Sequence, residues 1–101
     1  MEPKEFTKII NQKRYSTLTA KLIASDAYWD GHNWERQGRN TYLYRTKKGS
    51  YFLVRQTRWQ GERDVLEPIS QDEACSLYEG NLITHEVSYE AAFPGLIVED
   101  A

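Results

Sequence analysis

Cysteine is almost absent from this chain of 101 residues: Cys75 stands alone, so no internal disulfide can staple the fold. A cysteine-rich zinc site is excluded on the same count. A lone thiol fits a reducing cytoplasm. Long apolar runs are missing as well; none approaches the ~18 residues that cross a bilayer. The start, Met-Glu-Pro-Lys-Glu, lacks the layout of a secretion signal. These features give the expectation of a soluble cytoplasmic protein without a membrane partner. Strong enzyme signatures are also lacking. There is no Gly-x-Ser-x-Gly elbow, no Gly-x-x-x-x-Gly-Lys loop and no Gly-x-Gly-x-x-Gly turn. "HEVSY", from His85 to Tyr89, has a tyrosine where a zinc-protease helix needs its second histidine. No catalytic residue, resident metal or cofactor is therefore assigned.

Aromatic rings are plentiful by contrast. They make up 13% of the chain, and each can bury ~150–250 Å². A single domain over residues 1–101 can thus build a core without staples, with 94–101 read as a flexible tail. There is no internal repeat, low-complexity tract or Gly/Ser linker.

Charge is unevenly placed. Residues 1–61 hold twelve Lys/Arg against five Asp/Glu, a net +7; residues 62–101 hold only Arg63 against ten Asp/Glu, a net −9. Two readings stay open. The halves neutralise each other in the folded protein, or the split persists on the surface and selects a partner.

The pattern predicts an α+β fold. "KIINQKRYST" reads as two short strands about a turn at Asn11-Gln12. In "STLTAKLIASDAY", Ser16 or Thr17 can cap a helix over about 17–28. Leu18, Leu22 and Ile23 with Ala20, Ala24 and Ala27 would form its apolar side, and Lys21, Ser25 and Asp26 its outer side. A central hairpin, about 40–46 and 51–58, flanks Lys47-Lys48-Gly49. With Gly49 left-handed in a three-residue turn, Tyr44 opposes Phe52 and Tyr42 opposes Val54. Arg45, Tyr51 and Arg55 then take the other face. "DVLEPIS" is a third extended piece, placed at an edge by Pro68. Ser70 and Glu73 have capping-box spacing for a helix over about 70–79, with Ala74, Leu77 and Tyr78 inward and Gly80 at its end. Residues 84–92 read as a short second helix capped by Thr84. "LIVEDA" is left open between a strand and a frayed end.

One stretch stands out chemically. "YWDGHNWERQGR", from Tyr28 to Arg39, and its echo "RWQGERD", from Arg58 to Asp64, mix tryptophans with charge. The plain reading is that Trp29, Trp34 and Trp59 cover one end of the core. A metal or acid/base reading would use Asp30, His32, Glu35, Glu62 and Asp64. A recognition reading uses Trp34, Arg36 and Trp59 as anchors, since Trp and Arg dominate binding energy at interfaces.

"KRYSTLTAKLIA", "LYRTKKGSYFLV", "W-x-G-E" and "EPISQDEACSLYE" together resemble a group of small bacterial and phage or mobile-element proteins. Their recurring segments are K-R-Y-D-T-x-T-A, L-Y-R-T-K-x-G-x-Y-F-L and P-L-S-x-E-E-A. The likeness spans about residues 10–80, and Ser16 departs from the usual acidic residue. It implies an accessory gene product acting in counter-defence, in the manner of an anti-CRISPR protein, and brings no catalytic residues.

The leading expectation is therefore a non-enzymatic module that binds and inhibits a larger protein. Trp34, Arg36 and Trp59 would anchor it, and Glu67, Asp72, Glu73, Glu79, Glu86 and Glu90 would complement a basic groove. The alternative is nucleic-acid binding through Arg39, Arg45, Lys47, Lys48, Arg55 and Arg58, interleaved with tyrosines. A small metal-dependent hydrolase at the Trp loops is the third. The oligomeric state is left open.

Overall fold

The computed structural model describes residues 4–27 and 38–101. It is α+β but dominated by sheet. β1 (Thr7–Ile10) and β2 (Lys13–Ser16) form a two-stranded sheet. A second, antiparallel sheet has the order β6-β5-β4-β3-β7. It is built from β3 (Lys21–Ser25), β4 (Arg39–Arg45), β5 (Tyr51–Thr57), β6 (Val65–Ile69) and β7 (Thr84–His85). Two helices, α1 (Gln71–Glu79) and α2 (Tyr89–Ala92), complete it.

The β4–β5 hairpin sets the rest. Gly49 has φ +93°, a region that β-carbons resist, and its N–H donates to Thr46 O at 3.0 Å. That turn fixes the expected register, Tyr44 opposite Phe52 and Tyr42 opposite Val54. Alternation along both strands then sorts side chains to two faces. Tyr42, Tyr44, Phe52 and Val54 meet Leu66 of β6 and Tyr15 of β2 on one face, so the β1–β2 hairpin covers it. Tyr44 stacks on Phe52 with ring centroids 5.1 Å apart. Leu43, Tyr51 and Leu53 point to the other face, where Ile23, Ala74, Tyr78, Leu82 and Phe93 join them beneath the helices. The sheet is thus a middle layer, with a β-hairpin on one side and helices on the other.

The helix expected over 17–28 does not form: residues 21–25 are the strand β3. Ser16 does start a turn, its Oγ accepting from Leu18 N at 3.2 Å and its carbonyl from Ala20 N at 3.1 Å. The chain then extends to pair with β4. A register shift between Leu22 and Ala24 makes Ile23 an extra residue, so Leu22 serves the hairpin-side core while Ile23 and Ala24 serve the helix side. The bulge breaks the two-residue alternation that marks a strand. Ser25, expected outside, is buried.

Helix α1 begins as expected, Ser70 Oγ accepting from Glu73 N at 3.1 Å, and the Gly80 N–H closes it on Leu77 O at 3.3 Å. Ala74 and Tyr78 are its buried side. The helix expected over 84–92 shrinks to Tyr89–Ala92, capped by Ser88 rather than Thr84. Thr84 and His85 instead pair with Ser25 and Ala24 as the second edge of the sheet. Residues 96–101 form neither strand nor helix, and Leu96, Ile97 and Val98 are exposed. Among the described residues no helix is long and apolar enough to cross a membrane.

Candidate functional site

The fold pairs some of the charge that is separated along the chain and leaves the rest unpaired among the described residues. Among the described residues the ion pairs are Lys4–Asp64 at 2.9 Å, Arg39–Glu62 at 2.5 Å and Arg55–Glu67. All three join the early basic half to residues 62–67, the antiparallel return along β5. Asp64 accepts from Thr57 N at 2.9 Å as well as from Lys4. Burial pushes its carboxyl up, but the Lys4 and Thr57 hydrogen bonds and the Lys4 charge outweigh this and leave it below the usual range. Arg39 and the Thr57 hydroxyl likewise lower Glu62, and Glu62 in turn raises Arg39.

Farther along, the carboxylates form no ion pair among the described residues. Helices α1 and α2 and their connection hold Asp72, Glu73, Glu79, Glu86 and Glu90, and no Lys or Arg follows Arg63. Asp72 and Glu73 sit exposed in the first turn of α1, where a helix N-terminus favours negative charge. Asp72 and Glu79 share the outward side, opposite Ala74 and Tyr78. Glu79 accepts from the Tyr89 hydroxyl at 3.0 Å. Glu86 and Glu90 are exposed. The platform under them is rigid. Tyr78 stacks on His85 at 3.7 Å between centroids, meets Phe93 edge-on, and donates to Val87 O at 2.6 Å. Burial, and then the charge of Glu90, push the Tyr78 phenol up.

The opposite sign collects where the hairpin tips meet. Lys13, Arg14, Lys47 and Lys48 line one cleft of about 530 Å³, with Tyr15 and Ser50. Lys47 also borders a smaller cavity of about 360 Å³ that Lys21 and Arg45 line on the helical side. None of these six cations forms an ion pair among the described residues.

The expected site residues therefore divide. Glu67 is paired with Arg55, and Arg39 with Glu62. Arg45 and Lys47 line one cavity and Lys47 and Lys48 another. Arg58 lies beyond the far end of β5, its N–H donating to Gly38 O at 2.9 Å. Trp59 is 53% exposed, and its indole lies against Gly38, where an added β-carbon would come within 2.8 Å of Nε1. Arg39 sits over the Trp59 ring at 5.8 Å. Trp34 and Arg36, with Trp29, Asp30, His32 and Glu35, lie outside the described residues. Of the carboxylates considered for metal or acid/base work, Glu62 and Asp64 are engaged by Arg39, Lys4 and Thr57. Sequence reasoning missed Lys13, Arg14 and Lys21 as partners of Lys47. The signal that could have found them is the Asn11-Gln12 turn, which aims the first hairpin's tip at the second. The chain matches no family model, no curated protein and no solved structure.

Proposed function

We propose that the protein is a non-enzymatic binding module that docks its anionic helical layer on a basic surface of a larger protein. One observation carries the reading: Asp72, Glu73, Glu79, Glu86 and Glu90 stand on α1, α2 and their connection, and none of them forms an ion pair among the described residues. Carboxylates held on a stiff platform can meet a basic groove without a large ordering cost, which is where preorganised binders gain affinity. They also steer encounter and reject wrong partners more than they add contact energy. The resemblance to phage and mobile-element accessory proteins supports the class of role, an inhibitor or modulator of a host defence complex. Trp34 and Arg36 remain part of the proposal, with Trp59 as the exposed aromatic beside Arg39.

The test is affinity capture from the native host with two baits, the wild type and a variant carrying Asp72→Asn, Glu73→Gln, Glu86→Gln and Glu90→Gln. A partner held by the wild type and lost by the variant, with equal thermal melts, is the expected result. A partner held equally by both baits, or by neither, removes the reading.

A further inference from the structure

We propose that the cleft between the two hairpin tips binds the phosphodiester backbone of a nucleic acid. No residue of α1 or α2 lines this cleft, although Ala91 of α2 lines the neighbouring cavity that Lys47 also borders, and the proposal does not depend on the helical layer having a partner.

Two tight turns build the cleft. Asn11 and Gln12 both take positive φ, +52° and +64°, the conformation of a two-residue hairpin turn, and deliver Lys13 and Arg14 directly after it. Gly49 at φ +93° closes the other turn, which carries Lys47 and Lys48 directly before it. Four cations thereby line one cleft of about 530 Å³ that no carboxylate borders. That is within the usual ~300–1,000 Å³ of a ligand site. Gathering like charge this way is unfavourable without a counter-charge, and no Asp or Glu is among the residues that line the cleft.

The basic surface also runs past a single-ion site. Lys47 borders both cavities, so the cations pass from Lys13 and Arg14, over the turn, to Lys21 and Arg45 on the other face of the sheet. Arg45 Nε is buried without a hydrogen-bond partner, a donor whose desolvation goes uncompensated. A run of cations around an edge matches a chain of evenly spaced phosphates better than one compact anion. Arginine and lysine on phosphate oxygens position a backbone without reading its bases, so the expected binding is indifferent to sequence.

The experiment is fluorescence anisotropy on the full chain with labelled single-stranded DNA, single-stranded RNA and duplex DNA of mixed sequence. A poly-glutamate peptide of equal charge serves as competitor. Binding at low salt should weaken linearly in log–log form as salt rises, with a slope of roughly −0.7 to −0.9 per phosphate contacted. The strand type bound most tightly identifies the source of the backbone. Lys47→Gln with Lys48→Gln should cost at least tenfold in affinity and flatten the slope. Arg39→Gln with Arg55→Gln, at the ion-paired end, should leave affinity within twofold. Absence of salt-sensitive binding to all three nucleic acids, equal competition by poly-glutamate, or equal losses from both variant pairs each overturns the proposal. The salt titration needs only the wild type, so it decides even where a variant folds poorly. No protein partner enters the assay, so its failure leaves the helical-layer reading untouched.

Discussion

At the open end of the β4–β5 hairpin, Arg39 and Arg55 each hold a carboxylate from β6 or the segment before it, and Lys4 holds Asp64. At the turn end, Lys47 and Lys48 gather Lys13 and Arg14, and none of the four forms an ion pair among the described residues. Both ends belong to one sheet and one basic half of the chain. The difference comes from where the chain goes next. After β5 it doubles back antiparallel, so Glu62, Asp64 and Glu67 pass the bases nearest that return. Past Ile69 the chain leaves this hairpin for α1, and Asp72, Glu73, Glu79, Glu86 and Glu90 lie on α1, α2 and their connection. Neutralisation is thus local: a net charge of −2 conceals one end of the sheet where Lys4, Arg39 and Arg55 are paired and another where Lys13, Arg14, Lys47 and Lys48 are not, among the described residues.

Removing the platform that both ends share has the largest expected effect. Phe52 is fully buried between Tyr44 and Tyr15, stacked on one and edge-on to the other. Phe52→Ala should cost about 3–5 kcal/mol, read as a lower urea midpoint with an unchanged slope. A loss under about 1 kcal/mol would mean that the hairpin layer does not pack on the sheet as described. The ends could not then be compared as parts of one rigid body.

How much of this was legible follows the same division between local and distant causes. The hairpin register was readable because one glycine and two aromatic-rich runs determine it. The start of α1 was readable from Ser70 and Glu73, three residues apart. Strand β3 was not, because its bulge at Ile23 places Leu22, Ile23 and Ala24 in an order that fits a helix as well as a strand. Only pairing with Tyr42 to Arg45, far along the chain, selects the strand. Strand β7 was hidden for the same reason, two residues recruited by the exposed edge of β3. The candidate site shows the pattern again. Lys47 and Lys48 were found as neighbours, but their union with Lys13 and Arg14 depends on two turns meeting in space, and the neutralising of Arg39, Arg55 and Glu67 depends on the return of the chain.

An intermediate effect is expected at the open end on its own. Asp64→Ala takes the acceptor from Thr57 N and the partner from Lys4, and should cost about 1–3 kcal/mol in urea denaturation. The pH dependence has a definite sign. Asp64 titrates below its ordinary 3.8 when folded, so in acid the unfolded chain takes up this proton first. Its contribution is complete above about pH 4 and is lost as pH falls through the folded value. The wild type should therefore lose stability below pH 4 more steeply than Asp64→Ala. Parallel acid curves would show that the carboxylate does not hold this end.

The smallest effect separates the two ends most cleanly, because it is expected to differ in sign. Arg39→Gln removes a solvent-screened surface pair with Glu62 and should lower stability only slightly. Lys47→Gln with Lys48→Gln removes no pair and relieves repulsion from Lys13 and Arg14, so stability should stay within about 0.5 kcal/mol or rise. Added salt should narrow the gap by screening both the attraction and the repulsion. A protein that needed its turn-end lysines to fold would lose stability in both variants. Lysines kept for a ligand leave stability alone when removed, and the loss appears only when a polyanion is titrated in.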